Sequence, residues 1–252
     1  MLRPFWQHLF RSNMMFGFVM ILLLGVPRFI LVLNANVTGS YNLISIIFLF
    51  MWIAPFIFLS KEGRRKIGIK KPSGAKWLLF SFISGILICA VMFLVARLFY
   101  DNTIANWFNY ISRTYRVPAN PLTADDRNIY FIIYSIAGIT FSPIGEELFY
   151  RGIVHESFAD KLRDNKASVI DSLAFALTHL AHFGIVYDAG QWNFLMLPAL
   201  LWVFFMFLAS RVFFIFRQQS GSITGAILCH AGFNFAMMYF IFFHIFTTNS
   251  VT

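Results

Sequence analysis

Apolar residues are gathered along this chain into long blocks, at 12–33, 41–60, 77–100, 128–150, 169–184, 194–216 and 223–246. Crossing the hydrocarbon core of a bilayer takes roughly 20 such residues in a helix. The pattern therefore predicts an all-α fold, a polytopic transmembrane helix bundle of about seven spans (six to eight). The 169–184 block is short, and the 101–127 connection has room for an interfacial or re-entrant helix around Ile104–Ile111. Pro27, Pro55, Pro143 and Pro198 each lie within a block and are expected to kink a span or end it. No internal repeat, low-complexity tract or separable soluble domain interrupts the pattern.

Composition agrees. The 252 residues are 59% hydrophobic and 12% charged, with mean hydropathy +0.70 and 33 phenylalanines. A soluble domain carries roughly a quarter charged residues, and half that cannot cover a water-exposed globule. Cys89 and Cys229 lie in apolar blocks and read as small packing residues. Met1–Asn13 is mixed and aromatic, and the block after it lacks a small-residue cleavage site, so no signal peptide is expected.

The net charge of +9 raises nucleic acid as a partner, and its distribution excludes that reading. Lys61, Arg64, Arg65, Lys66, Lys70, Lys71 and Lys76 crowd between two apolar blocks, opposed by Glu62 alone. Basic residues so placed hold a loop in the cytoplasm, where they meet the anionic lipid bilayer. With 61–76 inside, the N-terminus is cytoplasmic and the C-terminus outside. Arg3, Arg11, Arg151, Lys161, Arg163, Lys166 and Arg217 then fall inside, against Arg113, Arg116 and Arg127 outside. Arg28, Arg97 and Arg211 fall within or at the ends of spans, where long side chains snorkel.

Ionisable groups inside a bilayer are expensive, so each is a candidate for function. They gather in the C-terminal half: Glu146, Glu147 and Arg151, then His179 and His182, then His230 and Asn234. Glu147 and Arg151 stand at i, i+4 and are expected to pair along one helix face, with Glu146 turned about 100° away. At 1.5 Å per residue from the cytoplasmic ends, Glu146 lies roughly 9 Å deep, His179 roughly 15 Å, His230 roughly 10 Å and Asn234 roughly 16 Å. Three spans thus bring polar groups into one leaflet. Two hydrolytic chemistries suit this set. Glu146 and His179 can deprotonate a water while His230 and Asn234 hydrogen-bond the oxyanion. Alternatively Glu146, His179 and His230 can bind zinc and acidify its water. His182, His244 and His155, the last in the polar loop 151–168, read as buried or structural histidines.

The stretch Glu146-Glu147-Leu148-Phe149-Tyr150-Arg151-Gly152 resembles the CPBP family, the CAAX-protease and bacteriocin-processing membrane peptidases also called Abi. Its three motifs, EExxxR, FxxxH and HxxxN, occur in order at Glu146–Arg151, Phe175–His179 and His230–Asn234, and Ile67-Gly68-Ile69 is similar to its short LGL-like element. Tyr150 and Phe235 are mild departures that remove no catalytic group. The resemblance spans roughly 60–240. It implies spans 1–127 as an N-terminal unit carrying the basic loop, and 128–240 as the catalytic membrane core. It further implies an intramembrane endopeptidase acting on a membrane-embedded or lipidated peptide. In that reading Glu146 and His179 activate water, His230 and Asn234 form the oxyanion hole, and Glu147 and Arg151 support them. No cofactor is favoured, with zinc as the alternative, since members are described both as glutamate-dependent and as metalloproteases. A non-catalytic bacteriocin-immunity or regulatory protein of the same fold is the competing expectation. A transporter with Glu146 and His179 as a proton relay is a further one that no repeat supports. The Phe-, Ile- and Lys-rich build points to a bacterial cell membrane. Gly221-Ser222 sits at a span end and reads as a turn and helix N-cap rather than a serine nucleophile.

Overall fold

The computed structural model describes residues 1–39, 41–115, 117 and 122–246; Arg116 and the C-terminal residues 247–252, both expected on the outer side, lie outside them. The chain enters through α1 (Pro4–Leu9), α2 (Asn13–Met20) and α3 (Val26–Thr38), the last two joined by a widened turn at Ile21–Gly25. It continues through α4 (Asn42–Phe58), α5 (Lys61–Lys66), α6 (Ala75–Tyr100), α7 (Trp107–Ser112) and α8 (Ala124–Glu146). A second widened stretch, Glu147–Val154, runs into α9 (His155–Thr178), and α10 (Met196–Ser220) and α11 (Ile223–Phe240) complete the bundle. The all-α polytopic reading holds.

Five helical runs among the described residues are long and apolar enough to cross a membrane: Asn13–Thr38, Ala75–Tyr100, Ala124–Ala181, Met196–Ser220 and Ile223–Ile245. Leu43–Phe58 is apolar but shorter. The 58-residue run would be roughly 87 Å long if straight, against a hydrocarbon core of roughly 30 Å. It cannot be one span. Arg163 breaks it, with φ 63° and ψ 162°, into two arms. The outer surface is apolar in the manner of a lipid-facing bundle, with Leu98, Leu94, Leu79 and Leu200 exposed.

Small residues set how closely the helices approach. A Cβ on Gly85 would lie 1.9 Å from the Cys229 carbonyl oxygen, and one on Gly232 would lie 2.1 Å from that of Phe82. α6 and α11 therefore touch backbone to backbone, the approach that glycine permits between membrane helices. Local signals explain the ends. Thr123 caps α8 by accepting from Asp126 N at 3.1 Å, and Ser222 caps α11 after the left-handed Gly221.

Two expectations are corrected, those for 151–168 and for Arg28, and two connections hold short elements of their own. The stretch 151–168, expected as a polar loop, is helical apart from the break at Arg163, and Arg151, His155, Glu156 and Ser157 are buried. Its polarity serves an internal network: His155 Nδ1 lies 2.8 Å from Asp171 Oδ2 and Arg217 donates to Glu156 Oε1 at 2.5 Å. The connection 185–193 holds an antiparallel hairpin, β1 (Ile185–Asp188) and β2 (Gln191–Phe194), turned by Ala189 and Gly190 at positive φ. Arg28 does not snorkel; it is 1% exposed and turned inward. The short helix expected near Ile104–Ile111 is α7, all six residues of which are buried.

Candidate functional site

Pro143 denies the last turns of α8 a backbone donor, and the widened turns of Glu147–Val154 follow it. Such π-type turns shift the phase of side chains and are frequent at functional sites. Here Glu146 and Glu147, both fully buried, end up with different partners.

Glu147 faces the interior of α11. Its Oε1 lies 2.8 Å from His230 Nδ1 and its Oε2 lies 3.1 Å from Arg151 Nε. The carboxylate accepts, so His230 carries its proton on Nδ1 and turns Nε2 the other way. Arg151 lies against aromatic faces, its guanidinium carbon 4.2 Å from the Phe175 ring centroid and 5.1 Å from that of Phe213. Phe213 in turn stacks on His230 with centroids 4.9 Å apart.

Glu146 faces α3 and α9. Its Oε1 pairs with Arg28, and its Oε2 lies 3.9 Å from the Nε2 atoms of both His179 and His230. His179 Nδ1 is 2.7 Å from the Phe175 carbonyl, which only accepts, so this nitrogen holds the proton and Nε2 presents a lone pair. Trp202 Nε1 donates to the His179 carbonyl at 2.8 Å and fixes the turn that carries the ring. Arg28 Nη2 lies 3.4 Å from Nε2 of His179 and 3.4 Å from Nε2 of His182. Two carboxylates and two guanidiniums thus close a charge-neutral cluster away from water.

A cavity of about 420 Å³ opens beside the cluster, its polar wall made by Arg28, His179, His182, His230 and Asn234 and the rest largely aromatic and aliphatic. Glu146 lies behind that wall. Asn234 shares the wall but gives an amide N–H to the Gly138 carbonyl at 2.9 Å. The structure thus brings together Glu146, Glu147, Arg151, His179 and His230, and places Asn234 on the same cavity one helical turn from His230. Arg28 and His182 belong to the group although the sequence reading left them out. The signal for Arg28 was a charge in the middle of an apolar block.

For a metal, Glu146, His179 and His230 are the available donors. Among the described residues no group of three His, Cys, Asp or Glu side chains converges at ligand spacing. Arg28, a fixed cation, already pairs with Glu146 and approaches His179 Nε2, so the set as folded does not fit zinc.

The fold and this site define a polytopic helical membrane protein with a buried carboxylate–imidazole centre. Residues 128–236 match the family model described as type II CAAX prenyl endopeptidase Rce1-like. That stretch, which carries the three motifs at Glu146–Arg151, Phe175–His179 and His230–Asn234, is thus similar to the CAAX-protease (CPBP) family. No curated protein and no solved structure matches the chain.

Proposed function

We propose that the protein is an intramembrane endopeptidase that hydrolyses a peptide bond of a membrane-embedded or lipidated peptide with a water activated by Glu146 and His179. The observation that carries the reading is the approach of two imidazole Nε2 atoms to one carboxylate oxygen, each at 3.9 Å, beside a cavity large enough for an extended peptide segment. That separation is too long for a direct hydrogen bond and suits one water held between Glu146 Oε2 and His179 Nε2. The water attacks the carbonyl carbon as its proton passes to Glu146, which later hands it to the leaving amine. Asn234, with its second amide N–H, receives the carbonyl oxygen, while His230, whose Nδ1–H goes to Glu147, turns an Nε2 lone pair toward Glu146 Oε2 rather than donating to the oxyanion as expected. Arg151 holds Glu147.

The reaction is proposed as metal-free, because a divalent cation among these residues would face the charge of Arg28. In this reading 128–240 is the catalytic core and the spans of 1–127 lend Arg28 to it. The basic stretch 61–76 and the N-terminus lie in the cytoplasm of a bacterial cell, with the C-terminus outside.

The test is a comparison of peptides from cells carrying the wild-type protein, Glu146→Ala or His179→Ala, with accumulation of each variant checked. Peptides made by the wild type and lost in both variants support the reading. Unchanged peptides in both would leave an immunity or regulatory protein that keeps the fold without the chemistry.

A further inference from the structure

We propose that Arg28 is a catalytic residue of this site, the fixed positive charge that stabilises the oxyanion as the peptide carbonyl is attacked. The inference rests on the water-activation reading above. Arg28 reaches the centre from α3, outside the matched region 128–236. Its side chain is 1% exposed and lines the cavity. Nη2 serves Glu146, His179 and His182, while Nε and Nη1 are buried with no hydrogen-bond partner among the described residues. Donors left unmade at such depth carry a large desolvation penalty unless something fills them during function.

Two imidazoles and the amide on this wall are spoken for. His179 and His230 each commit Nδ1–H, to the Phe175 carbonyl and to Glu147, and both present lone pairs at Nε2. A neutral imidazole arranged in this way accepts at Nε2 and cannot donate there. Asn234 gives one N–H to Gly138 and carries no charge. Arg28 is the wall residue with permanent charge and unused donors.

The charges balance through the step. At rest the Arg28 cation faces the Glu146 anion. When the water oxygen bonds to the carbonyl carbon, the C=O π pair moves onto oxygen and the water proton moves to Glu146. Negative charge has then travelled from the carboxylate to the new alkoxide, within reach of the same guanidinium. The site stays neutral overall, and the donors face the charge where it develops rather than where it starts. Collapse of the alkoxide returns the pair to the carbonyl, expels the amine with the proton from Glu146, and restores the resting ion pair.

The experiment uses full-length protein in lipid vesicles and the peptide that wild type cuts and Glu146→Ala leaves intact. Arg28→Gln should lower kcat by about 10²- to 10³-fold, the size of losing an oxyanion donor, with KM within about threefold. Guanidinium ion added to Arg28→Ala should restore part of the lost kcat and do nothing for Glu146→Ala. Should Arg28→Gln fail to fold, Arg28→Lys keeps a charge beside Glu146 and is measured instead. A lysine ammonium cannot hold Glu146 and the alkoxide in the fork geometry, so kcat should fall by at least about tenfold. A kcat within about threefold of wild type in the folded variant, or a loss expressed wholly in KM, overturns the proposal. If Glu146→Ala still cuts, the water-activation reading itself has failed; if Glu146→Ala is inactive while Arg28→Gln cuts normally, the role given to Arg28 alone has failed.

Discussion

The buried pair Glu147–Arg151 offers a quantitative test through Glu147→Gln. Both side chains are fully buried, and Arg151 Nη1 and Nη2 have no acceptor among the described residues, so Glu147 is its counter-charge. Removing that charge leaves a guanidinium supported by the Phe175 and Phe213 faces, which are worth about 2 kcal/mol when desolvated. Stranding one partner of a buried ion pair costs about 3–5 kcal/mol, so the single variant should lose on that order of unfolding free energy. Removing both charges in Glu147→Gln/Arg151→Met should recover most of it, since apolar replacement of a whole pair is often close to neutral. Activity should not recover, because His230 Nδ1 has lost its 2.8 Å carboxylate partner and with it the orientation of Nε2. Unfolding in bicelles gives the stabilities, and peptide cleavage in vesicles gives the activities. A double variant no more stable than Glu147→Gln would refute the view that the charges stabilise one another.

Three other outcomes follow from the packing and the charges. Gly85→Val should abolish folding or separate α6 from α11, because even the first carbon of a side chain would sit 1.9 Å from the Cys229 carbonyl; normal yield and unfolding would contradict that. The Lys66–Asp160 pair is half exposed, and the hydrogen bond from Lys66 holds the Asp160 carboxyl below its ordinary value. Its small contribution, about 0–1 kcal/mol, is therefore full above the ordinary carboxylate range and is lost as pH falls through the lowered folded value. Asp160→Asn should narrow the stability difference between neutral and acid pH, and an unchanged difference would remove the pair from the account. Chelation by phenanthroline should leave peptide cleavage intact, and loss of cleavage restored by added zinc would replace the metal-free reading.

Much of the fold was legible because apolar blocks long enough to span a bilayer have few other uses, and each expected block has a helical counterpart. What was missed depends on tertiary neighbours. The residues 151–168 are polar, and nothing in their order says whether the polarity meets water or, as for His155 and Glu156, an internal partner. The hairpin turn at Ala189-Gly190 lay in a segment too short and polar to register as strands. Gly85 and Gly232 show their purpose only once α6 and α11 are seen to touch. Helical phase put Glu147 toward Arg151 and left Glu146 to find another neighbour, but phase within one helix cannot name a residue on a distant one. Arg28 is that neighbour, more than a hundred residues earlier in the chain.

The most direct measurement is cleavage of a membrane-embedded peptide by purified protein in lipid vesicles, wild type against Glu146→Gln, with folding checked on the same preparation. Glutamine keeps the shape beside Arg28 and His179 and removes the base. The account predicts a folded Glu146→Gln protein that yields no product above the uncatalysed background. Product at the wild-type rate from that variant would contradict it.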